Sequence, residues 1–145
     1  MTINHKRILI AVGLVFLLVG VLGSLKIIND TGVLSLFGTK WTLDEEQNWA
    51  HFILAAVSLA AGFLALPLVQ KILVWSYGFL GIIAGVWGLF LGRLFKADIG
   101  SPGDILFYLI IGSFCLSFLA YKTILAQREQ LQALERQLEE NSYQQ

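Results

Sequence analysis

Four long stretches without a formally charged residue dominate this sequence and restrict what it can fold into. They cover Ile8–Leu25, Trp49–Val69, Ile72–Gly92 and Ile105–Tyr121. Each approaches or exceeds the ~20 residues that a helix needs to cross a hydrocarbon layer of ~30 Å. Because lipid offers no hydrogen-bond partner to the backbone, such stretches must satisfy their amide groups as helices. The sequence therefore predicts an all-α membrane protein with a bundle of four transmembrane helices.

The composition supports a membrane protein over a soluble one. Hydrophobic residues make up 57% of the 145 residues, charged residues only 14%, and the mean hydropathy is +0.72. A soluble domain carries about 25% charged residues, and a chain this short cannot bury such an apolar excess in its own core. No Gly or Pro lies between Lys122 and Glu140, so the fourth helix can continue beyond its span into water. We therefore predict a membrane domain over residues 1–125 and a cytoplasmic helical tail over residues 126–145.

The basic residues predict the orientation of the chain in the membrane. Four spans put both termini on one side of the bilayer. On that side lie Lys6, Arg7, Lys71, Lys122, Arg128 and Arg136, and on the other Lys26, Lys40, Arg93 and Lys96. Cytoplasmic segments carry the excess of Lys and Arg, so six against four predicts cytoplasmic termini. The expected location is a bacterial inner membrane or a thylakoid membrane.

Capping patterns predict where the helices begin. Thr42 precedes Glu45 by three residues, which is the spacing of a capping box, so the second helix should begin near Leu43. Ser101 and Pro102 offer a cap and a first helical residue for the fourth helix, followed by an acid in its first turn. Pro67 should end or kink the second helix.

Small residues at helical spacing predict close helix–helix packing. In the third helix they are Gly78, Gly81, Gly85, Gly88 and Gly92, all on one face. The second helix carries Ala55, Ser58 and Gly62 in a similar stripe, and the first contributes Gly20 and Gly23. Between helices in lipid, such residues let two backbones approach closely. The third-helix stripe predicts contacts within this bundle or, alternatively, a docking face for another protein.

The chain also repeats itself. Leu17–Leu25 aligns with Ile82–Phe90 at an offset of 65, and Asn48 aligns with Asp104 at an offset of 56. Two spans per copy keep both copies in the same orientation. The sequence therefore predicts two helical hairpins, one–two and three–four, related by a pseudo-twofold axis along the membrane normal.

Several segments resemble a family of small four-span bacterial membrane proteins that is catalogued only as a domain of unknown function. The resemblance covers roughly residues 8–120 and is carried by Phe16–Gly23, by Asn48–His51 and by Tyr77–Gly81. The family pattern has Asn-x-x-His in the second helix and an Asp/His version at the start of the fourth. Asp104 fits that version, but Phe107 stands where the second His would fall. The resemblance implies a four-span fold and no particular activity.

His51 is the one ionisable side chain clearly inside a span, and a residue of this kind is a functional candidate by default. Three interpretations are open: an interfacial hydrogen bond, a helix–helix bond or proton relay, and axial ligation of haem or chlorophyll. In the third, Trp87 could pack on the pigment ring. Packing within the bundle is the alternative for Trp87.

No motif for catalysis or metal binding is present in the sequence. One cysteine excludes an internal disulfide, and ten basic residues balanced by ten acidic ones give no field that would attract nucleic acid. We expect a non-enzymatic protein whose partners are lipid and other membrane subunits. The leading hypothesis is an accessory or assembly subunit of a larger complex, respiratory or photosynthetic, with pigment binding as its sharper form. The alternatives are a small channel or transporter, and a freestanding homo-oligomer.

Overall fold

The computed structural model describes residues 4–28, 35–36, 39–41, 43–94 and 97–142, and their structure is predominantly helical. The helices are α1 (His5–Ser24), α2 (Glu45–Leu64), α3 (Pro67–Leu91) and α4 (Pro102–Ser142). Two short antiparallel pairs connect them: β1 (Ser35–Leu36) with β2 (Thr39–Lys40), and β3 (Arg93–Leu94) with β4 (Ala97–Asp98). All four helices are long and apolar enough to cross a membrane. The architecture fits the predicted all-α multi-pass membrane protein.

The start of α2 differs from the sequence prediction. Thr42 lies outside the described residues, and the N-cap is Asp44. Asp44 Oδ1 accepts a hydrogen bond from the Gln47 amide at 2.7 Å, and Gln47 Oε1 accepts one from the Asp44 amide at 2.9 Å. This reciprocal pair is a capping box two residues later than predicted, and it fixes the direction of the Gln47 side chain.

The break between α2 and α3 lies earlier than the predicted spans 49–69 and 72–92 imply. Helix α2 ends at Leu64, and Pro67 is the first residue of α3 rather than part of the second span. A proline disfavours helical backbone in the residue before it, and its own missing N–H costs nothing at a helix start. The side-chain amide of Gln70 then donates to the carbonyl oxygens of Ala61 and Ala65, both at 3.1 Å.

The four helices associate as two antiparallel pairs, α1 with α2 and α3 with α4. In the first pair, a Cβ atom at Gly13 would lie 2.9 Å from Leu59 Cγ. In the second pair, a Cβ atom at Gly78 would lie 2.9 Å from Leu116 Cγ. Such distances leave no room for a side chain, so each glycine lets a leucine of the next helix lie against backbone.

Further along each pair the same arrangement recurs. Gly20 packs on the ring of Phe52, and Gly85 packs on Leu109. One turn later, Asn48 fills the position of a Cβ at Gly23, and Ile99 and Ile105 crowd Gly88. The remaining small residues predicted for packing are buried as well: Gly81 against Gly112, Gly62 against Ile10, and Ala55 and Ser58 in the interior.

The glycine face of α3 is thus covered by α4 of the same chain. A homo-oligomer built on these glycines would have to displace α4. Gly92 differs from the other four, because it lies after the last residue of α3. Its φ of 70° is left-handed, which a glycine adopts at low cost, and it ends the helix.

The core lies where α1 and α3 meet between the two pairs. It contains Leu9, Val12 and Phe16 of α1 and Val74 and Tyr77 of α3, each at most 7% exposed. The outer faces carry large apolar side chains, among them Leu64 and Phe90, that are more than 80% exposed. An apolar exterior of this extent fits four helices that are long and apolar enough to cross a membrane.

Candidate functional site

The most densely hydrogen-bonded group of side chains lies at the loop end of the bundle, around Asp104. This residue belongs to the first turn of α4 and is 1% exposed. Its Oδ1 accepts a hydrogen bond from Trp41 Nε1 at 2.9 Å, and its Oδ2 accepts bonds from Ser101 Oγ at 2.6 Å and Gln47 Nε2 at 3.2 Å. Three donors and the positive end of α4 compensate the buried carboxylate.

Gln47 connects this carboxylate to the other parts of the loop end. Its Nε2 also donates to the backbone oxygen of Asp98 in β4 at 2.6 Å. The Asp98 amide donates in turn to Oδ2 of Asp44, the cap of α2, at 2.8 Å. The loop before α4 is thereby fastened to the start of α2, and the two helix pairs are joined by hydrogen bonds rather than by apolar contact alone.

His51 lies one turn deeper than Gln47 and is 1% exposed. Its Nδ1 is 2.7 Å from the backbone oxygen of Gln47. A carbonyl only accepts, so this contact assigns the proton of the neutral ring to Nδ1 and leaves a lone pair on Nε2. Nε2 is buried and has no partner among the described residues.

Aromatic rings enclose His51. The centroids of Phe107, Phe16 and Tyr108 lie 5.5, 5.7 and 6.2 Å from that of the imidazole, and the Tyr108 ring is stacked at an interplanar angle of 13°. The lone pair is the chemistry that an axial ligand of haem or chlorophyll requires. The three rings contact the imidazole from α1 and α4, and Nε2 is buried among the packed side chains. As built, the site fits a histidine that packs between α1, α2 and α4.

Trp87 is not part of this group. Its indole N–H donates to the backbone oxygen of Arg93 at 2.8 Å, just beyond the end of α3. The side chain is 41% exposed and lines a shallow depression on the outer face of α3 together with Ile83 and Phe90. This position serves the end of α3 and the lipid-facing surface.

A second polar contact lies deeper in the membrane region. The hydroxyls of Ser58 and Tyr77 are hydrogen bonded at 2.7 Å, and Ser58 Oγ also donates to the Leu54 oxygen at 2.6 Å. The pair joins α2 to α3. Both here and at the loop end, hydrogen bonds between side chains of different helices join the two helix pairs.

A cavity of about 560 Å³ lies between α2 and α3, beside this contact. Small side chains border it, and Phe16 and the α4 residues Tyr108 and Ile111 also line it. It extends from the first turn of α2 towards the middle of the bundle. Its lining includes Glu46, Ala50, Leu54, Gly81 and Ala84.

The described residues contain no group of three or more metal-ligating side chains. The Asp104 carboxylate accepts hydrogen bonds from three side chains, which hold it in place between the start of α2 and the start of α4. The cluster acts as a clamp between the helix pairs.

Sequence reasoning identified His51 but not the residues around it. The sequence predicts Asp104 only as an acid in the first turn of the fourth helix, and it does not single out Trp41 or Gln47. The signal that would have found them is burial of a carboxylate at a helix start, which requires donors from elsewhere in the chain. The donors lie 63 and 57 residues away in sequence, and no local pattern reveals them.

Comparison with known proteins found no match to this chain among protein-family models, curated proteins or solved structures.

Proposed function

We propose that this chain is a non-enzymatic integral membrane protein that acts as an accessory or assembly subunit of a larger membrane complex. The observation that supports this proposal is the length of α4, which runs as one helix to Ser142. About 20 of its residues follow the fourth span, which corresponds to about 30 Å of helix at 1.5 Å per residue. That segment leaves the bundle and is exposed.

The exposed segment carries an apolar stripe. Ile124, Leu131 and Leu138 recur every seven residues, and Leu134 lies between the last two. These leucines are 54–63% exposed. An apolar stripe at this spacing on a helix in water is the surface on which a partner helix docks. We infer a subunit that is anchored by four spans and contacts its complex through this stripe.

The test is the size of the particle that the protein forms in its native membrane. We expect the intact chain, extracted in a mild detergent, to migrate with a mass well above that of the monomer. The double variant Leu131→Glu and Leu138→Glu should release it as a small particle. The double variant Ala126→Glu and Ala133→Glu adds the same charge to the opposite face of the helix and should leave the large particle intact. A monomeric intact chain, or an equal response of both variants, would contradict the proposal.

The absorbance of the same particle separates the pigment form of this hypothesis from the plain one. A visible band that is lost in His51→Ala would support axial ligation. A colourless particle would discard the pigment and leave the assembly role untouched.

A repeated hairpin accounts for the matched contacts of the two helix pairs. Gly13, Gly20 and Gly23 precede their counterparts Gly78, Gly85 and Gly88 by 65 residues. The contacts of these glycines match at an offset of 57 in the second helix of each pair, as in Leu59 and Leu116. This register is one residue longer than the alignment of Asn48 with Asp104 at 56. It makes Tyr108, rather than Phe107, the counterpart of His51.

The proposed orientation follows from the basic residues: both termini, and with them the extension of α4, lie in the cytoplasm of a bacterial or thylakoid membrane system. The loop end with the Asp104 cluster then faces the opposite side. A partner of the α4 extension would approach from the cytoplasm, well away from that cluster.

A further inference from the structure

We propose that the cavity between α2 and α3 holds a hydrocarbon chain of a membrane lipid. The cavity has a volume of about 560 Å³, within the range of about 300–1,000 Å³ typical of ligand sites. The α2 residues that line it run from Glu46 to Leu54, which is about 12 Å along the helix axis. This length is close to the depth of one leaflet, roughly half of a ~30 Å hydrocarbon layer.

The surroundings of the opening determine the occupant. Ile53 of α2 and Leu80 of α3 are each about 60% exposed on the helices that border the cavity. Because both helices are candidate membrane spans, the bilayer is the solvent of these side chains. Aliphatic and aromatic side chains line most of the cavity wall, and an apolar wall offers water few partners. Lipid chains are the apolar molecules that surround this opening.

The two grooves that the repeat makes equivalent differ in the side chains that line them. This comparison rests on the repeat proposed above. The groove between α1 and α4 corresponds to the cavity between α2 and α3. In the register of the repeat, Ala50 beside the cavity corresponds to Phe107, and Ala84 corresponds to Val19. The centroid of the Phe107 ring lies 5.7 Å from that of the Trp41 ring, and these side chains fill the groove between α1 and α4. One groove is therefore closed by aromatic side chains, and the other is kept open by small ones.

Tyr108 gives the cavity one polar contact for such a lipid. It lines the cavity one turn beyond Asp104, near the loop end of the bundle. Tyr108 is half-buried, and its hydroxyl has no hydrogen-bond partner among the described residues, so it can donate to a bound molecule. The ester carbonyl of a glycerolipid lies at the corresponding depth of a bilayer and can accept that hydrogen bond.

The experiment uses the full chain in vesicles of palmitoyl-oleoyl phosphatidylcholine that contain a small fraction of the same lipid with a diazirine on one acyl chain. After irradiation, mass spectrometry locates the cross-linked residues. In the intact protein we expect cross-links to concentrate on Leu54, Gly81 and Ala84. Ala50→Phe gives the cavity the ring that closes the other groove, and it should lower these cross-links at least tenfold. Ala56→Phe adds the same ring to an exposed position of the same helix and should leave them unchanged.

Three results would overturn the proposal. They are cross-links spread evenly over all exposed faces of the intact protein, a cavity signal that Ala50→Phe leaves intact, and cavity residues that are protected by a second copy of the chain. Should Ala50→Phe fail to fold, Ala84→Val places the side chain of Val19 at the equivalent position and tests the same prediction. The particle mass in the α4 variants is measured separately, so failure of the assembly proposal would not alter this outcome.

Discussion

Replacing Gly81 by alanine tests whether the α3–α4 contact depends on direct backbone approach. A Cβ atom at this position would lie 2.9 Å from Gly112 Cα and 2.9 Å from the Tyr108 oxygen. Both are backbone atoms, so no side chain can rotate away to make room. Gly20 is the matched control in α1, because its added Cβ would lie 3.2 Å from the edge of the Phe52 ring, which can shift by a few tenths of an ångström.

The expected magnitude follows from the distances. Carbon atoms pack best at about 3.5–4.0 Å, so the Gly81→Ala methyl must push the two helices apart by roughly 0.6–1 Å. A gap of this size forfeits about a quarter to a half of the attraction of each affected contact, and overpacking typically costs about 1–3 kcal/mol. Alanine regains at most about 1 kcal/mol in helix propensity. At Gly20 that gain is offset only by a small ring movement, so the two variants should differ by about 2 kcal/mol, or roughly 30-fold in the unfolding equilibrium.

The measurement is reversible unfolding in mixed micelles, in which sodium dodecyl sulfate is titrated and tryptophan fluorescence is followed. Gly81→Ala should unfold at a clearly lower detergent fraction than the intact protein, and Gly20→Ala at about the same fraction. If the two variants unfold within about 0.5 kcal/mol of each other, backbone proximity at Gly81 does not decide the packing of α3 on α4.

The same titration checks two further expectations. Asp104→Ala removes the shared acceptor of three buried or half-buried donors and should cost about 2–4 kcal/mol, whereas Asp98→Ala removes an exposed acceptor and should cost under about 1 kcal/mol. An equal response of both aspartates would refute the clamp. Gly92→Ala places a side chain at a φ of 70° and should cost about 1–2 kcal/mol, although its Cβ would lie at an ordinary contact distance of 4.0 Å from Gly100 Cα, since the strain lies in the backbone. A neutral result would show that the end of α3 adapts.

The helices and their packing faces can be predicted from this sequence because, in lipid, both depend on residues that are close together in the chain. An uncharged run of about 20 residues has one solution in a bilayer, so the number of helices follows from hydropathy alone. The glycine spacing of α3 likewise predicts which face packs. The sequence predicts that Pro67 ends or kinks the second helix, and the structure confirms that α2 ends before it. The predicted span 49–69 nevertheless runs past Pro67, because the apolar run continues across the turn and hydropathy does not register the two residues of extended backbone before the proline.

The candidate site could not be predicted in the same way, because its contacts are long-range. The bonds of Asp104 to Trp41 and Gln47 depend on how the two helix pairs meet, and each residue by itself has an ordinary local explanation as a cap, an interfacial aromatic or a helix-start amide. The proposed register of the repeat also rests on long-range contacts. Apolar segments align almost equally well at neighbouring offsets, and the partners of the paired glycines, such as Leu59 for Gly13 and Leu116 for Gly78, favour 57 over 56.

The proposed repeat gives the Gln47–Asp104 contact a particular meaning. In that proposal these two residues are counterparts at an offset of 57, and Gln47 Nε2 donates to Asp104 Oδ2 at 3.2 Å where the pseudo-twofold axis would pass. A symmetric dimer of one hairpin would place identical side chains there. Two carboxylates at that distance would repel, and at least one would have to bind a proton. Two amides would leave Trp41 and Ser101 without the carboxylate to which they now donate hydrogen bonds. A single chain containing both hairpins can place a donor opposite an acceptor. The covalent link between the two halves thus permits a complementary pair on the axis, and exchanging the two residues, Gln47→Asp with Asp104→Gln, should restore part of the stability that either change alone removes.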